Sequence, residues 1–352
     1  MRNVCYYTGC FSLFCAFALA LTSCHPKAEP FRAEFALNTL CTIFLYDQAR
    51  DKVYQDVFGR IREIESRMSV YLPDSDIARI NAAAGMEPVR VHYDVFEVIE
   101  RALYIAEISG GAFDPSIGPV VSLWGIGGNN PRVPTQEEID AVLPLVNWRE
   151  VELDRERHTV FLKRPGMALD LGGIAKGYAA DESAGIIKDA RLKRALIDLG
   201  GNIITYGVKQ DRSPWRVGLQ DPQYYNHGDN NYAVNRGSYI GVISGWDQSV
   251  VTSGVYERFF VDGGTHYHHL FSPFTGYPAR SGLSAVTVIA SASMDADALS
   301  TAAFVLGYER GRSLIDSLEG VEAVFVFEDM GVRITGGADF SLSDQNYRLF
   351  FN

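Results

Sequence analysis

Asp170-Leu171-Gly172-Gly173-Ile174-Ala175-Lys176-Gly177-Tyr178 closes one apolar run, and Asp198-Leu199-Gly200-Gly201 closes another. Each copy of the repeated Asp-Leu-Gly-Gly reads as a strand ending in a glycine turn with bare backbone. After the first copy a helix begins, with Lys176 in its first turn. Backbone N–H groups at a glycine-rich helix entrance, with a lysine beside them, suit a phosphate. The ordinary alternative for Lys176 is a solvated helix lysine. Asp170 and Asp198 read either as catalytic carboxylates or as side chains that fix their turns by bonding backbone amides.

Outward from these turns, hairpins and isolated helices follow one another. A strand is expected over residues 35–46, then a helix with Val53, Val57, Ile61, Ile64 and Met68 on one face. Asp74 or Ser75 caps a short helix, and Asp94 caps another whose Val98, Ala102, Ile105 and Ala106 face inward. Residues 110–119 are apolar yet full of breakers, the pattern of a packed binding loop. Nearby Tyr71, Phe113 and Trp124 read either as ring-stacking residues or as packing. Thr135 and Glu138 fit a capping box, and residues 151–153 and 159–162 a hairpin. Further strands are expected over 215–219, 239–243, 257–261 and 283–289, with a hairpin turn at Asp262-Gly263-Gly264. A long helix over 294–306 begins behind Ser293. The mixture implies an α+β fold of mixed sheets, hairpins and packed helices rather than a doubly wound parallel sheet.

The chain has 352 residues, enough for a sizeable core, and a formal charge of −11. That balance argues against a nucleic-acid partner, because phosphate-backbone binding rests on clustered Lys and Arg. Arg2, a short apolar stretch over 11–21 and Leu21-Thr22-Ser23-Cys24 read as a bacterial lipobox. Residues 1–23 are then a signal peptide, 24–34 a tether and 35–352 the functional domain. Acyl chains on Cys24 would hold an exported protein to a membrane, facing the periplasm from the inner membrane. A plain secretory signal or a short membrane anchor is the alternative. Cys5, Cys10, Cys15 and Cys24 all fall in or at the end of this leader, which leaves Cys41 as the one thiol of the mature chain. Neither a disulfide framework nor a Cys-based zinc site follows from one cysteine.

Two constellations carry chemistry. Asp297 and Thr301 are i and i+4 on a helix, so their oxygens emerge on one face and suit a hard cation such as Mg²⁺. The competing reading is an aspartate that favours the helix N-terminus and a threonine bonded to a backbone carbonyl. Thr265-His266-Tyr267-His268-His269 places His266 and His268 on one strand face, and Tyr267 and His269 on the other. A zinc site on His266 and His268, a general base before the Pro- and Gly-containing turn, and a hairpin of exposed histidines are all compatible with it.

Residues 68–71 with 75–81, 110–124, 168–181, 195–202, 251–259, 268–278 and 294–307 together resemble, in order along nearly the whole mature chain, the ApbE-type flavin transferases. These are FAD:protein FMN transferases and commonly bacterial lipoproteins. The resemblance implies an ApbE-like, T-fold-related architecture. It also implies that FAD, with Mg²⁺ on its pyrophosphate, is attacked at the FMN-side phosphorus by a threonine hydroxyl of a flavin-accepting redox protein, releasing AMP. Carried over by residue, it implies that the side chains of Asp297 and Thr301 and the carbonyl of Ala175 ligate the metal, and that His269 is the base. Lys176, Gly200, Gly201 and Asn202 would lie near the dinucleotide, and Met68 and Tyr71 would contact its rings. Ala112, Phe113 and Asp114 would wall the pocket, while Thr252, Ser253 and Arg258 match the family's cofactor-binding Thr-Ser-Gly stretch and following arginine. With water in place of threonine the same residues would make an FAD pyrophosphatase. A non-catalytic flavin-binding lipoprotein is the reading from a different class, and intact Asp297, Thr301 and His269 speak against it.

Overall fold

The strand Leu283–Ala290 is buried along its whole length, as an apolar run covered on both faces should be. It is the sixth strand of a nine-stranded sheet in the computed structural model, which describes residues 31–47, 51–128, 130–223 and 238–350. The spatial order is Phe31–Ala36, Thr39–Leu45, Arg194–Leu199, Asn202–Gly207, Gln248–Gly254, Leu283–Ala290, Glu322–Phe327, Gly331–Ile334 and Arg348–Phe350. All neighbours are antiparallel except the last pair, which is parallel. The signal peptide, Cys24 and residues 25–30 lie outside the described residues.

Seven α-helices accompany the strands among the described residues: α1 (Asp51–Met68), α2 (Asp76–Ala82), α3 (Tyr93–Ile108), α4 (Gly118–Trp124), α5 (Gln136–Val142), α6 (Ala175–Asp189) and α7 (Ser293–Asp316). Helix α7 packs on Gln248–Gly254 and Leu283–Ala290, with α6 beside α7 and α1 beside α6. Other sheet residues, among them Val250, Ala285, Ile289 and Val326, pack with Val217, Leu219, Ile240 and Ile243 of a three-stranded sheet. That smaller sheet runs Phe340–Leu342, Tyr239–Gly245, Trp215–Gln220. The architecture is α+β, as expected. Among the described residues no helix is long and apolar enough to cross a membrane.

The approach of α6 to α7 fixes the site. A Cβ on Gly177 would stand 2.2 Å from the Ser293 carbonyl oxygen, so only glycine lets the two N-terminal turns come this close. Asp181, one turn further along α6, accepts from the backbone N–H groups of Ser293 and Met294, each at 2.8 Å. It thereby satisfies two of the unpaired amides that begin α7. Burial pushes the Asp181 carboxyl up to about 6.

Several local expectations change. The single strand read over 35–46 is a hairpin that already starts at Phe31, turning at Leu37 and Asn38 with φ of 53° and 58°. Residues 31–34, assigned to the tether, therefore belong to a strand. The first Asp-Leu-Gly-Gly does not end a strand: Ala168 makes one isolated bridge with Ile117, and the chain turns directly into α6. The second does, since Gly200 and Gly201, at φ of 64° and 97°, turn Arg194–Leu199 into Asn202–Gly207. Asp94 is not the cap of α3, a position held by His92; its carboxylate pairs with Arg60 and Arg67. Helix α7 runs past Leu306 to Asp316, with non-helical backbone at Gly307. The capping box at Thr135 and Glu138 and the hairpins at 151–162 and 259–268 form as read.

Candidate active site

Where the first turn of α6 meets α7, Lys176 donates to Asn202 Oδ1 at 2.6 Å and to Asp297 Oδ1 at 3.3 Å. The Gly177 N–H donates to the other Asp297 oxygen at 3.0 Å. Asp297 is buried, so its charge is held by one ammonium and one amide. Thr301, a helical turn further on, has its Oγ1 3.6 Å from where a Cβ on Gly173 would be. Ala175 thus lies between two glycines that abut the two predicted metal-ligating side chains.

The amides of the first glycine turn are largely engaged. Gly172 N–H bonds Asp170 Oδ1 at 2.7 Å, and the Ile174 and Ala175 N–H groups both bond the Leu171 carbonyl. The amide cradle for phosphate expected from the sequence is therefore mostly closed, and positive charge comes from side chains. Asp170 fixes its turn, as does Asp198, which accepts from Gly201 N–H at 3.1 Å. Burial pushes the Asp170 carboxyl upward.

A cleft of about 700 Å³ opens beside this junction, and Lys176, Gly200, Gly201, Thr252 and Arg258 line it. Among the described residues no hydrogen bond or ion pair engages the Arg258 guanidinium, and the buried Nδ2 of Asn202 has no partner. Arg258, on the cleft wall, is a donor left over for a ligand, whereas Asn202 is buried and is not among the residues that line the cleft. Glu257, which was not anticipated, also lines the cleft. Although open to the cleft, its carboxyl is pushed up to about 7, chiefly by lost hydration and against the pull of Lys176 and Arg258. Its position three residues after Gly254, in a strand-like run, carries no signal that would mark it. Asp181 was missed for a similar reason, since it reads as a solvated helix position.

His269 ring Nδ1 lies 3.1 Å from the Arg258 carbonyl oxygen. A carbonyl only accepts, so Nδ1 carries the proton and Nε2 presents a lone pair. Burial, with the neighbouring charge of Arg258, pushes the imidazole down to about 3 and keeps it neutral. His268 has both nitrogens engaged, Nε2 with the Ala279 carbonyl and Nδ1 with the Leu270 N–H. His266 stacks on Phe259, ring centroids 4.1 Å apart. The zinc reading for His266 and His268 therefore fails, because His268 has no nitrogen to offer.

The remaining predicted residues divide. Ser253 Oγ lies 2.8 Å from Ser300 Oγ and 3.2 Å from Thr301 Oγ1, and Thr252 bonds Thr287 across the sheet at 2.8 Å. Phe113 is buried against Gly173, which ties the 110–119 loop to the site. Asp114 accepts from Ser116 N–H, Ser116 O–H and Trp148 N–H, so it holds the loop's shape. Ala112 is buried with it. Met68 is a core residue at the end of α1, while Tyr71 is exposed just beyond that end. Neither lines the cleft. Trp124 packs among Phe260, Tyr267, Phe271 and Tyr277. The Cys41 thiol is buried and pushed up to about 12, hence unreactive.

The donor set of Asp297, Thr301 and the Ala175 carbonyl is all oxygen, with one buried carboxylate. The ammonium of Lys176 already stands against that carboxylate, so the place suits positive charge. Gly173 leaves room beside the threonine hydroxyl. These features fit a hard divalent cation.

Known proteins match along the chain. The ApbE family matches residues 37–325. The FAD:protein FMN transferase of Treponema pallidum is 39% identical over 96% of this chain and 96% of its own length. A Klebsiella pneumoniae FAD:protein FMN transferase is 36% identical over 88% of this chain and 93% of its own. The crystal structure of the ApbE protein of Thermotoga maritima superposes with a TM-score of 0.75 at 33% identity, covering 89% of this chain and 96% of that one.

Proposed function

The chain belongs to the ApbE family, and from that premise we propose how an FAD:protein FMN transferase works on these residues. The acceptor is a threonine hydroxyl of a target protein. Its oxygen forms a bond to the FMN-side phosphorus of FAD while the bond from that phosphorus to the bridging oxygen breaks. AMP leaves with the bridging oxygen, and the hydroxyl proton goes to Nε2 of His269. The observation that carries this reading is the His269 tautomer, an imidazole held neutral with its free lone pair fixed by the Arg258 carbonyl. The nitrogen binds a proton weakly, so it takes one only as the threonine oxygen loses basicity to the new P–O bond.

Lys176 and Arg258 supply the positive charge that two phosphates need. Asp297, Thr301 and the Ala175 carbonyl are the residues to hold Mg²⁺. When bound, such an ion neutralises pyrophosphate charge and helps the AMP oxygen depart. The Phe113 loop excludes water from the junction.

Purified protein given FAD, Mg²⁺ and a flavin-accepting partner should release AMP and leave the partner heavier by one FMN in mass spectrometry. Accumulation of FMN and AMP with no adduct would make the chain an FAD pyrophosphatase instead. We further propose export and tethering through acyl chains on Cys24, facing the periplasm, supported by the Leu21-Thr22-Ser23-Cys24 sequence after an apolar stretch. C24A should move the protein from the membrane to the soluble fraction, and an unchanged membrane pool would refute the anchor.

A further inference from the structure

Thr301 sits at one end of a run of hydroxyls that joins a strand to a helix. Ser300 Oγ donates to the Asp297 carbonyl at 2.9 Å. Ser253 Oγ, from Gln248–Gly254, lies 2.8 Å from Ser300 Oγ and 3.2 Å from Thr301 Oγ1. Among the described residues Thr301 Oγ1 makes one other hydrogen-bond contact, to the same Asp297 carbonyl at 3.4 Å. Each hydroxyl has one proton to give, and the carbonyl can only accept.

Two proton orders run the hydroxyls as one unbroken relay to the carbonyl; an order in which Ser300 and Thr301 both donate to that carbonyl replaces the 3.2 Å contact of Thr301 by the longer one at 3.4 Å. In the first, Thr301 donates to Ser253, Ser253 to Ser300 and Ser300 to the carbonyl, using the contacts of 3.2, 2.8 and 2.9 Å. In the second, Ser300 donates to Ser253, Ser253 to Thr301 and Thr301 to the carbonyl, which exchanges the 2.9 Å bond for the one at 3.4 Å. Hydrogen bonds weaken over that interval, so the first order wins. It leaves both lone pairs of Thr301 free, whereas the second consumes one.

On the metal reading given above, we propose that Ser253 is a positioning residue: it accepts the Thr301 hydroxyl proton and so presents the Thr301 lone pairs to the divalent cation. Ser253 touches no cation itself. A neutral hydroxyl ligand keeps its proton and must place it elsewhere, and Ser253 is where it goes. Ser300 enforces the direction by giving its own proton to the helix carbonyl. Gly173 carries no side chain beside this hydroxyl, where a Cβ would stand 3.6 Å from Thr301 Oγ1. Partners that orient a metal ligand in this way are commonly worth about 10- to 100-fold in metal affinity.

The test is a Mn²⁺ titration of the full chain with FAD present, in which electron paramagnetic resonance counts the free ion. S253A should weaken Mn²⁺ binding about tenfold, while flavin fluorescence in chelator, which reads FAD binding without the ion, stays at the wild-type value. T301A should weaken it as well, and S253A/T301A should bind no more weakly than T301A. S300A removes the acceptor for the Ser253 proton, turns that proton toward Thr301, and should weaken binding from one step further away. Wild-type affinity in S253A or S300A overturns the role. So does an S253A loss of the same size in the T301A background, since Ser253 would then act independently of Thr301. Failure of the wild type to bind Mn²⁺ would instead remove the metal assignment, and this role with it. Thermal melts of each variant separate loss of fold from loss of the ligand's orientation.

Discussion

His269 holds one carbonyl twice: its backbone N–H and its ring Nδ1–H both donate to the Arg258 oxygen, each at 3.1 Å. The ring cannot turn over without giving up one of these bonds, so Nε2 is a fixed acceptor beside an arginine that lines the cleft. H269A should therefore lower kcat about 10²- to 10⁴-fold, the usual range for a general base. FAD affinity should hold, because the ring is placed for the incoming hydroxyl. Parallel single-turnover and FAD-binding measurements check this, and an equal loss in both would make the histidine a structural one.

His268 predicts a pH effect on stability rather than rate. It is buried with both nitrogens engaged, and burial pushes it down to about 4 from an ordinary 6.5. As pH falls below 6.5 the unfolded chain takes up this proton and the folded chain does not, so stability declines until about pH 4. The loss is on the order of a few kcal/mol. Asp181, raised to about 6, acts in the opposite sense between its unfolded value near 3.8 and 6, being protonated first in the fold. Melting temperatures of wild type and H268A between pH 7.5 and 4.5 isolate the histidine. The wild-type slope should be the steeper, and parallel slopes would refute the assignment.

Much of this site was legible because its signals are local. Asp297 and Thr301 share a helix face by spacing alone, and the second Asp-Leu-Gly-Gly carries its own turn in Gly200 and Gly201. The hairpin at Leu37 and Asn38 was not legible, since it takes positive φ without a glycine to announce it. Nor was the engagement of amides around Gly172, because nothing in a glycine turn says whether a ligand or a neighbouring aspartate will accept from them. The Ser253, Ser300 and Thr301 hydroxyls meet only once a strand and a helix pack. Pairings of that kind live in the register of the sheet and not in any motif.

The Lys176 ammonium and a divalent cation should compete for Asp297. In K176M the buried carboxylate keeps only the Gly177 N–H, so without metal the fold should lose about 1–3 kcal/mol. Mg²⁺ should then raise the melting temperature of K176M more than that of wild type, since the ion replaces the lost charge. Melts in chelator and in Mg²⁺ supply the comparison. Equal stabilisation of both proteins would place the ion away from the carboxylate that Lys176 contacts.

Gly177 and Gly185 lie on the same helix and should respond to alanine with opposite signs. A Cβ on Gly177 meets the Ser293 carbonyl oxygen at 2.2 Å and the Met294 Cα at 2.7 Å. Both are backbone atoms, so no side chain can swing aside and the start of α7 must move. A Cβ on Gly185 meets nothing within 4 Å. Alanine there gains the helix preference that glycine lacks, about 0.5–1 kcal/mol. Overpacking at Gly177 should outweigh that same gain and destabilise by about 1–3 kcal/mol. It should also weaken Mn²⁺ binding, since Asp297 rides on the displaced turn and accepts from the Gly177 N–H itself. Urea unfolding of the two variants reads the sign. A stabilised G177A would mean that α6 and α7 can separate without disturbing the junction, and that the glycine is not what brings Lys176 to Asp297.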